Sequence, residues 1–276
     1  MMPTAMPVTH PQPPVLGTLR VRRLGSASLE RLALARAKPG RVHSVFERTV
    51  NVVWSDGRLL TLHGPGPLAA PFAVALERLP PRGAVAPGMP IGRWDFDWRD
   101  AERVALEMPD GPLGFAADAL PEPRCARALC SAAALRVRGA LARGMAARDV
   151  RAFADAACAL IGLGEGLTPA GDDCVLGALA AIHRLATGWL TSHEGQRGRL
   201  ADAARRRTTD VARNFLLEAL DGRFAEPVLA LLTAPSDDLA GCASRRLVAM
   251  GETSGADTLC GIRLGCCALE TPAAER

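Results

Sequence analysis

The sequence predicts an α+β protein, with a small β-rich, barrel-like N-terminal domain followed by an all-α domain. Three observations predict it. Up to about residue 120, apolar residues alternate in short runs cut by glycine and proline. Beyond it they recur at helical spacing in alanine- and leucine-rich stretches. Pro121-Glu-Pro123 separates the two patterns. The domains expected are a disordered leader over 1–14, with five prolines and few apolar anchors, a β-rich domain over 15–120 and a helical domain over 121–276. A chain of 276 residues that is 49% hydrophobic can bury a core of that size.

The elements follow in order. Ser28–Ala37 reads as a short helix stopped by Gly40. Val42, Ser44, Phe46, Val50, Val52 and Trp54 fall on one side of an alternating run. Asp56-Gly57 and then Leu59, Leu60 and Leu62 make a hairpin signal. Arg48 interrupts the alternation, so it stands either at a sheet edge or in a purposeful pair. Phe72–Leu79 is a short strand or helix, Val85–Gly92 an edge strand or loop, and Trp94, Phe96 and Trp98 a strand with its aromatics inward. The segment 101–113 adds one more strand. Helices are expected over 125–144, 149–161 with Asp149 as cap, 173–187, 200–207, 210–220, 227–232, 237–250 and 257–269.

Composition narrows the function. A net charge of +4 suits a small anionic partner and does not by itself indicate nucleic acid. Tyrosine is absent and aromatics are scarce, which argues against base-stacking platforms. Arg205-Arg-Arg207 reads as a solvated helix face. Lys38 is the only lysine, which excludes a Gly-Lys-Thr phosphate loop and any other Schiff-base lysine. Eight cysteines, none in a two-residue pair spacing, read as reduced core residues of a cytoplasmic protein. No stretch has the character of a signal peptide or a membrane span. His43, His63, His183 and His193 lack metal-ligand spacing; His183 reads as a core residue, and His43 is the candidate for a site.

The helical domain centres on Gly162-Leu-Gly-Glu-Gly-Leu-Thr-Pro-Ala-Gly-Asp-Asp173, a glycine-rich loop opening onto a helix start. Free N–H groups and the positive helix end suit an anion there. The plainer reading is a tight connection whose glycines allow positive φ and whose Asp172 or Asp173 caps the helix. The candidate contacts are Gly164, Gly166, Thr168 and Gly171.

The logic repeats at Gly251-Glu-Thr-Ser-Gly-Ala-Asp257, with Thr253, Ser254 and Gly255 as the matching contacts. Asp173 and Gly177, like Asp257 and Gly261, lie four apart on one helix face. The two glycines allow close packing, which would place Asp172, Asp173 and Asp257 around one cavity. Three carboxylates repel an anion. Either a Mg²⁺ ion on Asp172 and Asp173 reconciles them, or the aspartates accept hydrogen bonds from a ligand amide or amine.

These motifs resemble the AllH-like family, whose named member is a subunit of oxamate carbamoyltransferase. His43-Ser-Val-Phe-Glu-Arg48 with Asn51 is similar to the family's N-terminal strand. Thr208-Thr209 through Leu216, Ala219 and Gly222 is similar to its middle motif, and Gly251–Gly261 to its C-terminal motif. The resemblance implies carbamoyl transfer between phosphate and oxamate nitrogen, in purine and allantoin catabolism, with partner carbamoyltransferase subunits. It implies a phosphate on the loop N–H groups and an amide on the aspartates. Arg48 or Arg213 then serves the oxamate carboxylate, with Thr208 and Thr209 among the binding residues. Asp172, Asp173, Asp257 and His43 are the catalytic candidates. Ala170, Ala212 and Glu252 stand where the family pattern has two serines and a histidine, so a different substrate or lost activity is also open. Two other readings remain beside the enzyme subunit. One is a non-catalytic binding or assembly subunit, the other a Mg-dependent enzyme acting on a phosphorylated metabolite or nucleotide.

Overall fold

The computed structural model describes residues 17–37, 40–81, 83–91 and 94–270. The proline-rich leader, Lys38 and Gly92 lie outside the described residues. The N-terminal part holds β1 (Leu19–Gly25), α1 (Ser26–Ala37), β2 (Arg41–Val45), β3 (Thr49–Val53), β4 (Leu59–His63), β5 (Ala73–Leu76), β6 (Phe96–Asp97) and β7 (Glu102–Val104). They form one mixed sheet in the order β2-β3-β4-β5-β1-β6, with β7 also on β1. That path has two ends. The molecule is α+β, a sheet region followed by a helical region.

The hairpin β3–β4 forms where Asp56-Gly57 predicts it. Gly57 takes φ +79°, and the Asp56 carboxylate accepts the Arg58 N–H at 3.0 Å. The run from Val42 to Trp54 is two strands rather than one. A bend at 46–48 turns the chain, and the Phe46 N–H donates to the Thr49 carbonyl at 2.8 Å. Arg48 therefore sits exposed in the bend, not on the inner face of a strand; alternating periodicity does not register a tight reversal between two in-phase strands. The register of β2 against β3 slips between Val42 and Ser44, which leaves His43 as the extra residue of a bulge.

The helical part comprises α2 (Ala132–Ala146), α3 (Val150–Leu160), α4 (Ala170–Leu185), α5 (Glu194–Arg207), α6 (Asp210–Leu220), α7 (Glu226–Leu232), α8 (Asp237–Val248) and α9 (Ser254–Glu270). Short 3-10 turns at Ala117–Ala119 and Arg127–Cys130 precede α2. Asp149 caps α3, accepting the Arg151 and Ala152 N–H groups. The helix α5 starts six residues before the expected Leu200, with Gly195 and Gly198 inside it. No helix among the described residues is long and apolar enough to cross a membrane.

One apolar core fills the sheet region around Val21, Val52, Leu62 and Leu76, and another fills the helical region around Phe153, Leu179, Leu232 and Ile262. A third joins them. Val53, Leu59 and Phe72 of the sheet meet Val211 and Phe215 of α6, with the Phe72 and Phe215 rings edge-to-face at 4.9 Å. This seam carries α6 against the hairpin and so sets where the N-terminus of α6 points.

Candidate functional site

The most extensive helix contact joins α4 and α9. A methyl group at Gly177 would overlap the Thr258 carbonyl oxygen, and one at Gly261 would overlap the Cys174 carbonyl oxygen. Further along, Gly265 meets Ala178 and Ala181. The contacts advance in the same direction on both chains, so the helices run parallel with their N-termini side by side. The crossing is close to two-fold symmetric, as 174, 177 and 178 on one helix answer 258, 261 and 262 on the other.

The symmetry extends to what precedes each helix. Leu163 N–H donates to Leu160 O and Gly171 N–H to Leu163 O. In the second copy Met250 N–H donates to Leu247 O and Gly255 N–H to Met250 O. A methyl group at Gly171 would strike Leu160 O, and one at Gly255 would strike Leu247 O. The helix–loop–helix unit α3–α4 thus recurs as α8–α9, with a longer glycine loop in the first copy.

Both helices begin three residues earlier than the spacing suggests. Pro169 is the N-cap of α4 and offers no side-chain bond, and Asp173 lies one turn inside the helix, as does Asp257 in α9. Neither aspartate is a cap. Each stands one turn N-terminal to its crossing glycine, on the face turned to the other helix. Both are buried, at 5% and 0% exposed, and the Oδ2 atom of each has no hydrogen-bond partner.

Asp257 Oδ1 accepts the Ala126 N–H at 2.8 Å. Burial drives the Asp173 carboxyl well above the ordinary carboxylate range, and the charges of Asp257 and Asp172 push the same way against the Ser254 and Thr168 hydroxyls. Burial also raises Asp257, against the Ala126 N–H and the Thr253 hydroxyl.

Asp172 does different work. Its Oδ1 accepts the Gly162 N–H at 3.0 Å and its Oδ2 the Thr208 hydroxyl at 2.5 Å, so it staples the glycine loop to the start of α6. Burial raises it to about 6 despite these bonds. Thr209 caps α6, accepting the Ala212 N–H at 3.1 Å, and its hydroxyl donates to the Leu167 carbonyl. Gly162, Gly164 and Gly166 take φ of +84°, +120° and +87°, the left-handed region that the loop path requires. Gly166 and Leu167 are exposed at its tip.

Next along α6, Asp210 links the loop to the sheet. Its carboxylate lies 3.8 Å from His43 Nε2 and 2.9 Å from Arg213 Nη2, and Arg213 also donates to the Gly57 carbonyl at 3.2 Å. The Ser44 hydroxyl lies 3.1 Å from His43 Nδ1 and accepts from Asn51 Nδ2 at 3.0 Å; Asn51 Oδ1 accepts the Thr61 hydroxyl at 2.8 Å. Asp257, Asp173, Asp172, Thr208, Thr209, Asp210, His43 and Asn51 therefore form one polar seam from the paired helix starts to the sheet. Arg48 stands apart in its bend. Asp210, Ser44 and Thr61 belong to the seam without having been singled out; an aspartate directly after a Thr-Thr cap was the available signal for the first.

Among the described residues no group of three or more His, Cys, Asp or Glu is placed to hold a metal ion. Asp172 engages Gly162 with one oxygen and Thr208 with the other, while Asp173 Oδ2 has no hydrogen-bond partner. Arg205 pairs with Asp202 at 3.2 Å and Arg207 donates to the Cys158 carbonyl, on an exposed face. Cys174, Cys260 and Cys266 are buried, and Cys130, Cys242 and Cys267 are exposed.

No solved structure matches the chain. Residues 160–266 match the family model described as oxamate carbamoyltransferase subunit AllH, and residues 20–97 match the AllH family N-terminal domain. The first match spans the glycine loop, the start of α6 and both crossing helices, and the second spans His43, Asn51 and the hairpin. The protein belongs to the AllH family.

Proposed function

We propose that this chain is a subunit of a carbamoyltransferase of the oxamate type and that it binds a small carbamoyl-bearing anion at the paired starts of α4 and α9. The single observation that carries this reading is the pair of orphaned, buried Oδ2 atoms of Asp173 and Asp257 beside two parallel helix N-termini. Buried polar atoms without partners are rare and costly, so their neighbours in the working state are hydrogen-bond donors. A carbamoyl group supplies such donors in its NH₂, and the helix ends supply positive potential for the phosphate.

In the transfer, the oxamate nitrogen attacks the carbamoyl carbon, the carbon–oxygen bond to phosphate breaks, and the nitrogen gives up a proton. A carboxylate of the Asp173–Asp257 pair, held above its usual range, is suited to take that proton near neutral pH. Loop and helix N–H groups stabilise the departing phosphate. Arg213 serves the oxamate carboxylate by exchanging it for Asp210, and His43 orients the seam from the sheet side.

A second reading has an observation in its favour. The two carboxylates are nearly inaccessible, so the site opens only with movement of the glycine loop or on assembly with a partner subunit; the chain then binds or organises rather than catalyses alone. Titration calorimetry of the full chain with carbamoyl phosphate, oxamate and ATP, each with and without Mg²⁺, separates the readings. The first predicts Mg-independent binding of carbamoyl phosphate. Silence from every ligand supports the second, and Mg-dependent nucleotide binding overturns both.

A further inference from the structure

A cleft of about 290 Å³ opens between the 3-10 turn at Arg127–Cys130, α2 and α9. Its walls include Glu122, Cys125, Cys130, Arg138, Cys260 and Arg263. The two arginines are held in place by neutral acceptors. Arg138 Nη1 donates to the Leu129 carbonyl at 3.2 Å, and Arg263 Nε donates to the Leu120 carbonyl at 3.3 Å. Arg138 Nε is buried with no acceptor at all. Among the described residues neither guanidinium is in an ion pair, although most other half-buried arginines here are, such as Arg23 with Glu226 and Arg223 with Glu218. Glu122, on the same wall, pairs with neither.

Two half-buried guanidiniums that share one small cleft and lack an ion pair suit an anion there. We propose that this cleft is a binding site for a small anion carrying a carboxylate or phosphate group, held between Arg138 and Arg263. The volume is at the lower end of ligand-site volumes, roughly 300 Å³, and suits a ligand of metabolite size. The thiols do not make it a nucleophilic site. Hydrogen bonding to Cys260 and burial hold the Cys125 thiol protonated, and Cys260 in turn meets Cys174. Position gives the cleft reach to the carboxylate pair, because Ala126, next to Cys125, donates its N–H to Asp257.

Cys130 lines the cleft and is exposed, so it reports on occupancy, while the exposed Cys242 on α8 serves as control. The experiment measures iodoacetamide labelling of each cysteine in the full chain by mass spectrometry, with inorganic phosphate in one arm and malonate in the other. The proposal expects at least one anion to slow Cys130 labelling by about threefold or more at saturation, with Cys242 unchanged. Protection is lost in Arg263→Gln and in Arg138→Gln, each checked for native circular dichroism, and is kept in Asp173→Asn. No protection by either anion, or protection that survives whichever arginine variant folds, overturns the proposal. Loss of protection in Asp173→Asn would place the anion at the helix starts instead, and so overturns this site without touching the carbamoyltransferase reading.

Discussion

At the scale of single residues, the buried aspartates tie stability to pH. Asp172 rises from an ordinary 3.8 to about 6 on folding, which corresponds to roughly 3 kcal/mol. Its raised value means that the folded state binds the proton more tightly than the unfolded chain. The stability it contributes is full below about pH 4 and is lost as pH rises through about 6. Thermal unfolding followed from pH 4 to 7 should therefore decline more steeply in the native protein than in Asp172→Asn, which keeps an acceptor for the Gly162 N–H; parallel curves would contradict this. Asp173 sits beside Asp257 with an oxygen unpartnered, a strain that stability alone does not explain. Asp173→Asn should raise the unfolding free energy read from urea denaturation at pH 7 by about 1–3 kcal/mol, while weakening carbamoyl phosphate binding. A variant that is less stable and binds unchanged would remove Asp173 from the site.

At the scale of elements, the crossing of α4 and α9 depends on glycine. Gly177→Ala or Gly261→Ala drives a methyl group into a backbone carbonyl that has no room to move, and each should cost at least about 2 kcal/mol in urea unfolding. Gly198→Ala in α5 meets nothing within 4 Å and should instead stabilise by about 0.5–1 kcal/mol. Equal effects at the three positions would mean that the helices do not touch. Much of this was legible in the sequence. The repeated Gly-x-Asp and the Asp–Gly spacing of four pointed to two helices packed closely at glycine, and Asp56-Gly57 located the hairpin. What escaped was where each helix begins. Aspartates close behind a glycine–proline loop look like caps, but the first turn had already formed on Ala170-Gly171 and Ser254-Gly255, which placed the acids inside. Arg48 was misplaced for a related reason, since a reversal over 46–48 keeps the alternation in phase on both sides.

At the scale of the whole molecule, α6 couples sheet to helices. Arg31 on α1 is 5% exposed, donates to Glu218 at 2.7 Å and lies 5.1 Å over the Phe72 ring, so one buried cation ties α1 to α6 and to the turn before β5. Arg31→Ala should cost about 3 kcal/mol, because it leaves Glu218 buried with only Arg223; a loss under about 1 kcal/mol would show that the apolar seam alone holds the regions together. The same α6 presents Thr208, Thr209 and Asp210 between the glycine loop and His43, a juxtaposition of distant segments that no local pattern encodes. The proposed site requires Asp173 and Asp257, 84 residues apart, to act on one ligand. A double-mutant cycle on carbamoyl phosphate affinity, with Asp173→Asn, Asp257→Asn and the pair, tests this most directly, using the partner-bound form if the isolated chain is silent. A ligand shared by the two carboxylates gives strongly non-additive losses, with a coupling energy above about 1 kcal/mol. Additive losses, or affinity unchanged in all three variants, would contradict it.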